Sequence, residues 1–208
     1  AGRKTLRASN GEEADTEMAL INVAAREIHG KIVYYGPGLS GKTTNLQYIH
    51  SRIPSHTKGE LLSIETETER TLFFDFLPLD LGKVHGFTIR FHLYTVPGQV
   101  LYERTRVAVL NGTDGVVFVA DAQRDRLADN LQSLRELAQN ITAQGKRFLD
   151  FPLVMQYNKT DLPDALPTPV LDRYLNTIKA PRFEAVAVTG KGVFETLRAI
   201  SKLVVNKL

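Results

Sequence analysis

The chain has no cysteine among its 208 residues, which excludes disulfides, thiolate metal sites and cysteine nucleophiles. It has no apolar run approaching the roughly 18 residues a membrane-spanning helix needs, and no signal peptide is visible. It lacks a strong charge of either sign. With 26 Lys and Arg against 23 Asp and Glu, the formal net charge is only +3, and no basic run forms a nucleic-acid footprint. The five histidines are scattered and form no H-E-x-x-H zinc pattern. Without a C-terminal cysteine, a prenyl anchor is not expected either. What is present is ordinary globular material: 43% apolar and 24% charged residues, enough for one core and short for two. The expectation is a cytoplasmic chain, monomeric when alone, with no direct nucleic-acid contact and no transmembrane segment or lipid anchor.

The most informative stretch is Gly36-Pro37-Gly38-Leu39-Ser40-Gly41-Lys42-Thr43, which reads G-x-x-x-x-G-K-T directly after the apolar run Lys31–Tyr35. A buried strand before it and a helix after it are the context of a phosphate-binding loop. Its glycines leave the backbone free to approach a ligand closely, and successive N–H groups can converge on phosphate oxygens at the start of a helix. Lys42 would reach the outer phosphates and the Thr43 hydroxyl a magnesium ion, with Thr44 continuing the helix. The loop points to a nucleotide without saying which.

Residues 1–17 are charged and nearly devoid of large apolar groups, so they are expected to be a flexible extension or a remnant ahead of Met18. From residue 18 to 208 strands and helices alternate in one domain. Buried strands are expected at Ile32–Tyr35, Gly115–Ala120, Leu153–Tyr157 and Phe183–Val188. Helical periodicity follows the phosphate loop and recurs over Leu127–Leu137 and Val193–Val204. Thr71–Leu81 and Phe87–Val96, separated by Gly82–Gly86, read as an antiparallel hairpin. The expected fold class is α/β: a mostly parallel central sheet with one antiparallel edge hairpin and helices on both faces.

Asn158-Lys159-Thr160-Asp161 follows the strand Leu153–Tyr157, at the carboxyl end where open α/β sheets bind ligands. Asp161 can accept hydrogen bonds from the N1–H and amino group of guanine, which adenine cannot supply. Asn158 can meet the N7 edge while the Lys159 stem lies along the ring. A site built on such pairing rejects an analogue that leaves its polar groups unpaired. Thr95-Val96-Pro97-Gly98-Gln99 closes the second hairpin strand. It is either a strand-ending turn or a sensor, in which the Gly98 N–H faces a γ-phosphate and Gln99 orients a water.

The order phosphate loop, hairpin, P-G-Q, N-K-x-D resembles a Ras-like small GTPase. The strings Tyr35–Leu46, Arg70–Pro78 and Phe91–Gln99 more narrowly resemble the bacterial mutual-gliding (MglA) GTPases, from about Met18 to the C-terminus. The resemblance implies a switch of GTP and GDP that hydrolyses GTP slowly alone. It also implies a roadblock-domain activating partner (MglB-like), downstream effectors, and a role in cell polarity or gliding motility, with enrichment at a cell pole through partners. By residue, it implies Thr43 and Thr71 as magnesium ligands, Arg70 as an arginine finger from the same chain, Gln99 as the water-positioning group, and backbone N–H groups of Ala187 and Val188 near the guanine. Ras-like proteins commonly carry Asp where this chain has Thr95. Asp75 on the adjacent strand is either its substitute at magnesium or simply an edge-strand carboxylate.

Two other classes compete. A nucleotide-dependent docking scaffold would need neither Arg70 nor Gln99. A P-loop kinase would need an arginine-bearing lid and an acceptor pocket, which the sequence does not show.

Overall fold

The computed structural model describes residues 21–22, 25–65, 73–84, 86–98 and 102–207. The expectations for residues 1–17, Arg70, Thr71 and Gln99 lie outside the described residues. In chain order the described strands and helices are β1 (Ile21–Asn22), β2 (Glu27–Tyr35), α1 (Lys42–Arg52), β3 (Leu62–Glu65), β4 (Phe73–Val84), β5 (Phe87–Thr95), α2 (Glu103–Leu110), β6 (Gly115–Asp121), α3 (Leu127–Ala143), β7 (Leu153–Asn158), α4 (Thr168–Leu175), β8 (Arg182–Ala185) and α5 (Val193–Val205).

The strands form one eight-stranded sheet in the order β3-β4-β5-β2-β6-β7-β8, with β1 added alongside β2. Pairing is parallel from β5 through β2, β6 and β7 to β8. It is antiparallel in β3–β4, β4–β5 and β1–β2. β6 and β7 are buried at every position because both their faces are covered. Alternation along β6 shows how. Val116, Phe118 and Ala120 join a core with Leu137 and Ile141 of α3 and Leu171 and Leu175 of α4. Val117 and Val119 join the opposite core with Leu46 and Ile49 of α1 and Ile200 and Val204 of α5. The three-layer α/β architecture is the one the sequence predicts.

Its antiparallel part is wider than one hairpin. β3 adds a further edge strand beyond β4, in a stretch too polar and short to stand out from a loop. The last strand stops at Ala185, and residues 186–188 turn back, bridged from Val186 to Lys191. In α3 the buried positions are Asn130, Ser133, Leu137 and Ile141, while Leu127, Leu131 and Leu134 are only partly covered. The first half of this helix lines a cavity with Asp129, Gln132, Ser133 and Glu136, so polar residues occupy positions there that an apolar stripe would otherwise hold.

Candidate functional site

The described candidate residues lie at the carboxyl ends of β2, β5, β7 and β8, in the loops or helical first turn that follow them, or, for Asp75, at the amino end of the antiparallel β4. The loop after Tyr35 turns into α1 through Gly41, whose φ of 98° is a conformation that glycine adopts without strain. A Cβ at Gly41 would also lie 2.2 Å from Asn158 Nδ2. α1 has no side-chain cap, so its first N–H groups remain for another acceptor. Leu39 has a φ of 64° and is 87% exposed. Ser40 is fully buried, and its hydroxyl has no hydrogen-bond partner among the described residues.

Lys42 is 7% exposed. Its Nζ donates to the carbonyls of Gly36 (2.9 Å) and Pro37 (2.6 Å). Among the described residues no carboxylate forms an ion pair with it. Burial first, and Arg106 second, pull its pKa down to about 7 against the opposing effect of Asp75. A buried ammonium whose described partners are carbonyls suits an anion as its counter-ion.

Beside it, Asp75 on β4 is 4% exposed and gathers hydroxyls. Thr43 Oγ1 donates to it at 2.6 Å, Ser63 Oγ at 2.8 Å and Thr95 Oγ1 at 3.0 Å. The Asp75 N–H in turn donates to Thr95 Oγ1 at 2.9 Å. Thr95 thus binds the carboxylate of the neighbouring strand instead of carrying one itself. Among the described residues there is no group of three His, Cys, Asp or Glu able to hold a metal. A set of hydroxyls and a single carboxylate suits magnesium, which takes oxygen ligands and draws the remainder from phosphates and water.

Gly98 packs against the phosphate loop. A Cβ there would stand 2.2 Å from the Gly38 nitrogen and 2.4 Å from the Pro37 carbonyl carbon. The approach depends on Gly98 having no side chain, whereas a Cβ at Gly38 would stand 3.7 Å from the Gly98 oxygen, an ordinary contact.

At the other end, Asn158 staples two loops. Its Nδ2 donates to Ser40 O at 2.8 Å, and its Oδ1 accepts from Ala187 N at 2.9 Å. The Ala187 N–H therefore serves the site through Asn158. Lys159, at φ 66°, pairs with the buried Asp121 at the end of β6. Asp161 is exposed, and its carboxylate has no hydrogen-bond or ion-pair partner among the described residues. It lines a cavity of about 240 Å³ together with Lys159, Ala187 and the 74% exposed Val188. A larger cavity of about 870 Å³ holds Gly36, Gly38, Lys42, Thr43 and Gly98. The two meet at Leu39, Gly41 and Thr44, which line both.

Two groups escape a reading of the sequence. Asn45 of α1 donates to Gly41 O (2.9 Å) and exchanges hydrogen bonds with Gln156 of β7 (2.8 and 3.0 Å). Gln156 also donates to Thr196 of α5 (3.0 Å). The one available signal was a glutamine inside an otherwise apolar strand. Arg126 and Arg106 also line the larger cavity. Arg126 donates to Gly38 O at 3.0 Å, and Arg106 pairs with Glu136 at 3.2 Å.

A glycine-turned loop entering an uncapped helix, a buried lysine and a second cavity bearing an open carboxylate define a P-loop nucleotide-binding domain. The chain matches the ADP-ribosylation factor family over residues 17–204. It is 56% identical over 191 residues to the mutual gliding-motility protein MglA of Myxococcus xanthus, covering 92% of this chain and 98% of that protein. It is 26% identical over 141 residues to elongation factor 4 of Porphyromonas gingivalis, covering 59% of this chain and 22% of that protein. The chain therefore belongs to the ADP-ribosylation factor family, among its MglA-type small GTPases. No helix among the described residues is long and apolar enough to cross a membrane.

Proposed function

We propose that this chain is a guanine-nucleotide switch that binds GTP or GDP with magnesium and hydrolyses GTP, slowly alone and faster with a roadblock-domain partner. One observation carries the reading. The cavity around the buried Lys42 opens, across Gly41 and Thr44, onto a second cavity whose open side chain is the Asp161 carboxylate. The first complements phosphates. The second complements a base with adjacent N–H donors, which is guanine.

Lys42 and the first N–H groups of α1 hold the phosphates. Asp161 accepts from the base and the Val188 backbone borders it, while Asn158 keeps the two loops in register. Thr43 and Asp75, with Thr71 in the GTP state, would hold magnesium, which would supply positive charge to offset that of the phosphates. Gly98, pressed on Gly38, sets the room for a terminal phosphate. The family supports GTP hydrolysis in general. Gln99 would orient the attacking water and Arg70 would stabilise charge on the transferring phosphoryl group. Similarity to a protein named for mutual gliding motility supports a place for this switch in cell motility or polarity, acting in the cytoplasm and gathering at a pole through partners.

The test is phosphate release from GTP, with and without a roadblock-domain protein, for the wild type and for Arg70→Ala and Gln99→Ala. Slow basal release, stimulation in the wild type and loss of most stimulation in both variants, with GDP affinity retained, is the expected result. Nucleotide binding without any stimulated release would instead support a docking scaffold, and a preference for ATP would overturn the guanine assignment.

A further inference from the structure

Arg126 closes the short 3-10 turn Arg124–Arg126 that leads into α3. Its guanidinium forks. Nη2 donates to the Gly38 carbonyl at 3.0 Å, and Nη1 pairs with Asp129, one turn further along, at 2.7 Å. Both side chains line the phosphate cavity. The peptide they grip joins Gly38 to Leu39, and Leu39 has the left-handed φ of 64° that a leucine rarely adopts. In a trans peptide the C=O and the following N–H point in opposite directions. Fixing the Gly38 oxygen on the arginine therefore fixes the Leu39 N–H on the other side of the peptide plane.

We propose that Arg126, oriented by Asp129, is a positioning residue that locks the Gly38–Leu39 peptide in the orientation that donates to nucleotide phosphate, and so governs how long the nucleotide stays bound. The inference rests on the reading of the site given above. Two features favour a positioning role over simple stabilisation. The grip falls on a backbone carbonyl of the ligand-binding loop, and the residue beyond that carbonyl holds a strained conformation. Without the arginine, Leu39 relaxes toward ordinary φ values and one phosphate donor turns away. The loop then has to be reordered at each binding event, which weakens retention.

The experiment is stopped-flow release of a fluorescent GDP analogue from the full chain, for the wild type, Arg126→Ala, Arg126→Lys and Asp129→Asn. Melting of the nucleotide-free proteins and the GDP-to-ADP affinity ratio are measured alongside. Release from Arg126→Ala is expected to be about tenfold faster, the size of one charge-assisted hydrogen bond. The nucleotide-free melting temperature and the base preference should stay at wild-type values. Arg126→Lys, which keeps a donor for Gly38 but not the fork, should fall between, as should Asp129→Asn. A release rate within twofold of wild type for Arg126→Ala overturns the inference. So does faster release matched by a lower nucleotide-free melting temperature, which marks a purely structural residue. A wild type that binds no guanine nucleotide defeats the underlying reading instead, and the two failures are told apart by that control.

Discussion

The two ends of the proposed nucleotide site are built on different principles. At the base end, geometry is held by direct bonds between the protein's own loops: Asn158 ties Ser40 to Ala187, and Lys159 is fixed on Asp121. Among the described residues here, the Asp161 carboxylate is left open. At the phosphate end, the polar groups satisfy one another through contacts that a ligand must replace. Thr43 donates to Asp75, and Lys42 borrows carbonyls from its own loop. A mould that stays the same for GDP and GTP can be stapled. A region that must register one phosphate more or less needs bonds that exchange for ligand bonds at little net cost.

Breaking the base end should give the largest effect. Asp161→Asn replaces an acceptor by an amide that also donates. GTP affinity should fall about a hundredfold or more, as expected when a buried polar pairing is lost. Xanthosine nucleotides, with an oxo group where guanine has an amino group, should bind the variant better than the wild type. Competition titrations with the two nucleotides measure both, and unchanged GTP affinity would remove Asp161 from the base site.

At the phosphate end the expected change is conditional. Asp75→Asn should weaken GTP binding about tenfold at limiting magnesium, roughly one charge-assisted contact, and much less at saturating magnesium. A magnesium titration superimposable on the wild type would reduce Asp75 to a strand-edge carboxylate.

The smallest effect sharpens the comparison through protons. Lys42 is held near pKa 7 in the free protein, and bound phosphate would raise that value. Between pH 7.5 and 9 binding should therefore take up a proton, and affinity should decline severalfold per pH unit as the free lysine loses its charge. Calorimetry in buffers of different ionisation enthalpy reads the uptake directly. In the nucleotide-free protein the sign reverses. An unfolded lysine binds the proton more tightly than the folded one, so folding stability gains from rising pH between about 7 and the ordinary lysine value. Absence of proton uptake would place Lys42 away from the phosphates.

How much of this was legible beforehand follows the same divide. The phosphate loop and Asn158–Asp161 are readable because their chemistry is encoded within eight and four consecutive residues. Asp75 could be nominated only because Thr95 stands where an acid was expected, and its bond to Thr43 bridges 32 positions. The Asn45–Gln156 pair is separated by 111 positions and the Arg126 grip by 88, and neither leaves a local pattern. The short helices α2 and α4, eight residues each, are too brief for an apolar period to declare itself. β3 became a strand through its partner β4 more than through its own residues.

The Asn158 staple also has a consequence for how the chain comes into being. It joins residues 118 positions apart, and its second bond reaches on to Ala187. A ribosome therefore releases the phosphate loop long before the partners that close it exist, and the emerging chain spends most of its synthesis unable to hold a nucleotide. Loading is an event of the finished domain. A truncated or stalled product carries the signature motif and still stays silent as a switch.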